Sequence, residues 1–321
     1  MTDAIRWGIL GAASIARGQF LPALRETGEG RAVLVGCRDL SRGAEYAAGQ
    51  GVERAVLGYE AVIHSGEIDA VYIALPNSHH AEWTIRAREA GLAVLCEKPL
   101  THQVAETDRV LAAAGDALLW EAFVFPFQAQ HLRILELIEG GAIGTPAEIV
   151  SHFHFTVGRP DNIRLSADLG GGALADVGCY PIRLAHELLG PADGQSFLTH
   201  ARVRGGVDVD SAGIVSHGDG RLILSCGFER PYDTFTRILG DAGELRVANP
   251  FHPLPGDALE LHRAGHEPVV ERPTTDECSF TAALRHIHAV IRGEEPPRQL
   301  AAGSAASTAR TLAALQAQVR L

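Results

Sequence analysis

WGILGAASIARGQF, residues 7–20, starts as an apolar run, turns on a glycine and opens a helix-like pattern. Aligned on Gly-x-Gly-x-x-Gly it reads Gly11-Ala12-Ala13-Ser14-Ile15-Ala16, with alanine at the second and third glycine positions. Gly11 stands where a dinucleotide fingerprint needs a tight turn. The methyl of Ala13 pushes a bound phosphate slightly away, and alanine at the third position is a common variant. Ser14 offers a hydroxyl, and the helix start offers unpaired N–H groups and a positive dipole end. Alone, the stretch reads equally well as a nucleotide seat or as an ordinary strand–turn–helix.

The surrounding pattern decides the fold. Short apolar runs at 5–10, 32–37, 70–74, 93–96 and 117–120 alternate with helix-like segments at 14–27, 41–49, 79–90 and 104–114. Continuous apolar strands separated by helices predict a parallel sheet covered on both faces, wound in the doubly wound Rossmann manner. Beyond about residue 121 the pattern changes. A helix is predicted at 129–139, then an alternating strand in which Ala147, Ile149, Ser151, Phe153 and Phe155 share one face. Five strand-like runs follow with no helices between them (196–204, 211–216, 222–229, 234–239 and 244–247), and helices at 279–292 and 303–320 close the chain. This half reads as α+β with a large, mostly antiparallel open sheet. The expected division is a nucleotide-binding unit at 1–121 and a substrate-binding and oligomerisation unit at 122–321.

The chain of 321 residues carries 28 Lys+Arg against 39 Asp+Glu, a net charge of −11. With its basic residues scattered, nucleic acid and anionic membrane surfaces are excluded as main partners, although a local basic pocket for one phosphate is not. No apolar run approaches the roughly 20 residues that a membrane span needs, and MTDAIRWGIL has no signal-peptide pattern. Five dispersed cysteines without a Cys-x-x-Cys argue against disulfides and zinc, so no metal is expected and a reducing cytoplasm is.

After the second strand comes Cys37-Arg38-Asp39-Leu40-Ser41-Arg42. An NAD site usually places a carboxylate at the position of Cys37 or Arg38, and Asp39 lies beyond it. Arg38 and Arg42 suit a 2′-phosphate instead, so NADP(H) is expected over NAD(H).

Two further stretches are ALPNSHHAEWTIRAREAGLAVLCEKPL at 74–100 and LGGGALADVGCYP at 169–181. With the Gly11 loop, Arg38 and RILGDAGELRVANPF at 237–251, they resemble the Gfo/Idh/MocA oxidoreductase family nearly from end to end. The resemblance implies a Rossmann domain followed by a domain on an open sheet, assembled as a homodimer or homotetramer through that sheet. It implies that Lys98 is the catalytic lysine. Leu75, Pro76, Asn77, His79 and Glu97 then lie with Lys98 along the nicotinamide side of the cofactor, and Gly11 to Ile15 along its phosphates. Tyr180 occupies the position where many members carry histidine, as in the branch of dimeric dihydrodiol dehydrogenases and NADP-dependent xylose dehydrogenases. Ala13 departs from the family pattern, as do Pro126 and Gln128, where relatives in this branch often carry Arg and His.

The implied reaction moves a hydride between a nicotinamide and a sugar-like alcohol or carbonyl. An aldose 1-dehydrogenase, a ketosugar or anhydrosugar reductase and a dihydrodiol dehydrogenase-like enzyme all fit, and the competing reading is a catalytically silent, cofactor-binding sensor. A phenol titrates near pH ~10, and nearby positive charge lowers that value. Tyr180 is therefore read as proton donor or acceptor and Lys98 as its electrostatic partner, with the reverse assignment open. Asp176, four residues before Tyr180, would bind a sugar hydroxyl, orient Lys98 or serve a helix start. Arg164, just before the glycines, is a substrate-binding candidate. His152 and His154 share a strand face and read as a sheet pair. His286 and His288 sit two apart on a helix and point apart. Ser78 and Ser166 lack a nucleophile motif.

Overall fold

The structure, a computed structural model, describes residues 4–114 and 118–320. Contacts divide the chain into two units, and the division is not one cut in the sequence. The first unit takes the chain up to Thr101, then Ala105–Val124 and Cys278–Gly303. The second takes His102–Val104, Phe125–Glu277 and the chain from Ser304 on.

The first unit is built on six parallel strands: β1 (Ile5–Leu10), β2 (Gly30–Cys37), β3 (Arg54–Leu57), β4 (Ala70–Ile73), β5 (Ala93–Cys96) and β6 (Leu119–Glu121). Their order is β3-β2-β1-β4-β5-β6. The winding reverses between β1 and β4, and in doubly wound sheets ligands bind at the carboxyl ends of the strands beside that reversal. Between the strands run α1 (Leu21–Thr27), α2 (Leu40–Gln50), α3 (Glu60–Ile63), α4 (His80–Glu89) and α5 (Val104–Ala114). Ala117, expected to open the sixth strand, lies outside the described residues. β3 and α3 were not foreseen: Arg54–Leu57 has no long apolar run, and four residues of helix show no period. The helix after Gly11 is not uniform either, because Ala16–Phe20 is π-helical before α1 begins. Pro22 in the first turn of α1 has no N–H to give the preceding turn, which accounts for the change of register.

In the second unit eight strands form one sheet: β7 (Pro146–Thr156), β8 (Ser196–Arg204), β9 (Val207–His217), β10 (Gly220–Gly227), β11 (Glu229–Gly240), β12 (Glu244–Ala248), β13 (Leu259–His262) and β14 (Val269–Glu271). Their order is β14-β13-β12-β11-β7-β10-β9-β8, and every pair is antiparallel except β7 with β10. Ile149, Ser151 and Phe153 are buried as their alternation predicts, whereas Ala147 and Phe155 near the strand ends are not. α6 (Ala129–Glu139), α7 (Cys179–Leu189) and α9 (Ala305–Gln316) belong to this unit. Cross-strand registry lines up Arg246, Arg237, Val150, Ile223, Ile214 and Phe197 across six strands. None of these six is buried, so they form one open row on a single sheet face.

α8 (Ser279–Ile291) returns to the first unit and packs on α1. There the Trp7 indole N–H donates to Nε2 of His288 at 2.9 Å, and Thr281 donates to Glu26 at 2.7 Å. Arg292 and Arg285 reach Glu29 at 2.6 and 3.2 Å. His286 turns to Glu295 instead, at 2.5 Å.

Burial drives the His288 pKa from the ordinary 6.5 down to about 4, against the attraction of Glu29. His186 on α7 falls to about 3, mainly through burial and then through His217 and Arg183. Both rings are held neutral in the fold, and the unfolded chain binds more protons below about pH 6.5. The stability they contribute is therefore present at neutral pH and lost as pH falls toward 4. For His288 alone the loss reaches about 2 kcal/mol by pH 5. Urea midpoints are expected to drop clearly between pH 7.5 and pH 5; His288→Gln should lessen that drop, and equal midpoints would contradict it.

Candidate active site

Four adjacent parallel strands, β2, β1, β4 and β5, end on the same edge, and the first unit's candidate residues follow those ends directly. Gly11 follows β1, Arg38 follows β2, Leu75 and Pro76 lie just beyond β4, and Glu97 and Lys98 follow β5.

Gly11 has φ +97, and a Cβ there would meet the Ala74 carbonyl oxygen and the Leu75 side chain, both at 3.0 Å. Only glycine fits this turn. Its N–H donates to the Gly36 carbonyl at 3.1 Å, tying the turn to β2. Past it, Ala12, Ser14 and Ile15 are exposed and Ala13 is half-buried, its carbonyl accepting from Arg17 N–H and the Tyr46 hydroxyl. Helical turns begin at Ser14. A tight turn feeding an exposed helix start suits a dinucleotide pyrophosphate, so these residues fit the nicotinamide cofactor despite the alanines.

Beyond β2, Asp39 is the N-cap of α2. One of its oxygens accepts from Ser41 N–H (3.0 Å), Arg42 N–H (3.2 Å) and the Ser41 hydroxyl (2.8 Å). These bonds, led by the Ser41 hydroxyl, hold its carboxyl below the ordinary carboxylate range. The carboxylate that follows β2 first in sequence is thus committed to the helix, while the Arg38 and Arg42 side chains are exposed beside it. Asp directly before a helix start is a common N-cap, so this role has a signal in the sequence.

The Lys98 turn is gripped through its neighbours. Glu97 takes the Tyr72 hydroxyl on one oxygen at 2.5 Å and lies 3.3 Å from the Lys98 N–H with the other. Tyr72 is fully buried and stacked on Phe20 at 4.1 Å; burial first and the Glu97 charge second hold its phenol protonated well above the ordinary range. The Leu100 N–H donates to buried Glu121 at 2.6 Å. His80, fully buried at the start of α4, places Nδ1 2.9 Å from the Pro99 carbonyl and Nε2 2.8 Å from the Leu75 carbonyl. The Lys98–Pro99 peptide bond is cis. The neighbouring Asn77–His79 is a short 3-10 turn in which Pro76, Asn77 and His79 are half-exposed and Ser78 bonds His79 at 3.0 Å. His79 is the histidine singled out from the sequence, and His80 is the one the fold buries; the adjacent pair gave no signal to separate them.

In the second unit the glycine triplet folds around Arg164. Gly172 N–H donates to the Arg164 carbonyl at 2.9 Å, and a Cβ on Gly171 would lie 2.5 Å from that oxygen. The Arg164 guanidinium meets the mostly buried Asp176 carboxylate at 2.6 Å and lies over the Phe155 ring. Two expected substrate-binding residues are therefore partners, which the sequence could not reveal. A π-helical turn, Leu174–Gly178, leads into α7. On α7 the buried Tyr180 ring packs among Phe125, Phe153, Phe251 and His252, with centroids at 6.3, 5.4, 5.2 and 5.6 Å. Pro126 and Gln128, at the family departures, are buried.

His152 meets Asp233 at 3.1 Å and His154 meets Ser225 at 3.0 Å, so each ring of the pair has its own sheet partner. Among the described residues no group of three or more His, Cys, Asp or Glu could hold a metal, and no helix is long and apolar enough to cross a membrane.

Comparison with known proteins agrees with this fold. The oxidoreductase family with an NAD-binding Rossmann fold (GFO_IDH_MocA) matches residues 5–118, and the GFO/IDH/MocA C-terminal domain matches residues 131–246. The chain is 34% identical over 305 residues to a dTDP-3,4-didehydro-2,6-dideoxy-alpha-D-glucose 3-reductase of Saccharopolyspora spinosa, covering 92% of this chain and 91% of the relative. It is 33% identical over 296 residues to a D-xylose 1-dehydrogenase (NADP(+)) of Haloferax volcanii, covering 91% and 90%. The crystal structure of KijD10, a 3-ketoreductase from Actinomadura kijaniata in complex with NADP and TDP-benzene, superposes with TM-score 0.87 at 30% identity, covering 99% of this chain and 98% of that one. KijD10 has also been solved with a lysine replaced by alanine or glutamate, and with a tyrosine replaced by phenylalanine.

Proposed function

Because this chain belongs to the Gfo/Idh/MocA oxidoreductase family, we propose that it uses NADP(H) to interconvert a ketone and an alcohol on a sugar or nucleotide-linked sugar, with ketone reduction the working direction. The transfer of a hydride between a nicotinamide cofactor and a sugar-like substrate is common ground for the family members to which it is similar. The direction and the nucleotide-linked substrate rest on its likeness to the 3-ketoreductases. The observation that carries the reading is the single edge of β2, β1, β4 and β5, where the Gly11 turn, the Arg38 pair and the pinned Lys98 turn all emerge.

When bound, the reduced nicotinamide supplies the hydride that the carbonyl carbon takes up. The chain's own residues manage the oxygen. Lys98 donates a hydrogen bond to the carbonyl oxygen and stabilises the negative charge that grows there. Tyr180 gives that oxygen its proton, leaving a tyrosinate that water re-protonates. In oxidation the same groups act in reverse. Asp176, held by Arg164, accepts from a sugar hydroxyl and aligns the ring. Gly11 to Ile15 seat the pyrophosphate; Leu75, Pro76, Asn77 and His79 line the nicotinamide side.

Arg38 and Arg42 take the 2′-phosphate. Arg38→Ala is expected to raise Kd for NADP about 10- to 100-fold, the weight of one charge-assisted hydrogen bond, while leaving NAD nearly unchanged. Equal losses for both cofactors would remove the 2′-phosphate assignment. A panel of keto sugars, aldoses, cyclic diols and dTDP-linked keto sugars with NADPH or NADP+, read at 340 nm, tests the reaction. Tight cofactor binding without turnover of any member would favour a regulatory sensor instead.

None of the five cysteines is in a disulfide, which suits a reducing cytoplasm. The open row from Arg246 to Phe197 suits a second copy of the chain, giving a homodimer through this sheet.

A further inference from the structure

The fully buried His80 ring lies between two backbone carbonyls from separate loops. One is that of Pro99, adjacent to Lys98, at 2.9 Å from Nδ1; the other is that of Leu75, at the head of the Pro76–His79 loop, at 2.8 Å from Nε2. Both oxygens only accept, so a hydrogen bond to either one needs an N–H from the ring. The neutral imidazole carries one N–H and serves one carbonyl; the doubly protonated ring serves both. A buried carbonyl without a donor costs free energy, so the two loops settle where His80 can reach them. His80 also begins α4, whose Thr84 and Ala87 are buried, so the ring is anchored to a packed helix.

We infer that His80 is a positioning residue that sets the Lys98 turn and the nicotinamide-side loop in register with each other. It does so through the carbonyls of Pro99 and Leu75, without touching substrate. The inference rests on the proposed role of Lys98. A shift of about 1 Å in a catalytic group is enough to cost on the order of 100-fold in rate.

The two arms can be separated by side chains that keep one donor each. Asparagine carries its amide nitrogen about where Nδ1 lies, and glutamine carries its own about where Nε2 lies. His80→Ala is expected to lower kcat about 10- to 100-fold and to raise KM for NADPH. His80→Asn keeps the Pro99 arm and should restore most of kcat. His80→Gln keeps the Leu75 arm and should restore KM for NADPH but not kcat. If Asn and Gln are indistinguishable in both parameters, the two-arm assignment is wrong.

A double-mutant cycle gives a readout that a merely structural role would not. In a Lys98→Ala background, His80→Gln should cost no more than about a further 2-fold in kcat, because its effect runs through the missing amine. Independent, multiplying losses would overturn the inference while leaving the role of Lys98 intact. Full turnover in Lys98→Ala itself would overturn the proposed function. Should the alanine variant fail to fold, the Asn and Gln variants, which fill the same space, carry the test.

Discussion

Lys98→Ala is expected to lower kcat at least about 100-fold, the low end of what a positioned acid–base or charge-stabilising group contributes, with the Kd for NADP changed only a few-fold. Truncating this side chain leaves its turn in place. Glu97 is fixed by Tyr72, Leu100 N–H by Glu121 and the Pro99 carbonyl by His80, and these contacts stay when the amine is removed. Cofactor binding should likewise survive, because Gly11 and the Arg38 pair seat the other end of the dinucleotide. Lys98→Arg should not rescue, since a planar guanidinium does not replace a compact ammonium aimed at one oxygen. Single-turnover kinetics with NADPH and a keto sugar from the positive panel make the measurement. A loss below about 10-fold would remove Lys98 from the chemistry.

Tyr180→Phe is expected to lower kcat by a similar factor of at least about 100, and to do so without destabilising the protein. The ring is held by Phe125, Phe153, Phe251 and His252, contacts that phenylalanine keeps. Only the hydroxyl, and with it the proton supplied to the product oxygen, is lost. Melting temperature and near-ultraviolet circular dichroism should match the parent while kcat falls. A rate near that of the parent would exclude the phenol as proton donor; a fall in melting temperature matching the fall in rate would make it a packing residue.

The wound half of the fold was legible because its strands are buried on both faces. Runs such as Ala32–Cys37 and Ala93–Cys96 are apolar throughout, and the helices between them are long enough to show a period. β3, α3, β13 and β14 escaped because three or four residues show no period at all. The return of α8 to the first unit was hidden for another reason. It depends on pairings such as Trp7 with His288, at 281 residues' separation, and local pattern carries no such information. In the candidate site, the tight turn at Gly11 was readable because its backbone admits only glycine, and the motifs around Lys98 and Tyr180 singled those two out as candidates. The Arg164–Asp176 pair and the choice of His80 over His79 as the buried ring were not readable. Each depends on which way a side chain turns once its neighbours are in place.

The return of α8 also bears on how the chain comes off the ribosome. Trp7 and α1 emerge well before α8, and the helix that completes their packing follows only after the whole eight-stranded sheet has been synthesised. Cotranslational folding from the N-terminus therefore cannot finish the nucleotide-binding half on its own, and the indole stays uncovered for most of translation. A fragment stopped at Val124 should be sticky and poorly folded, and supplying residues 278–303 as a separate peptide should restore it.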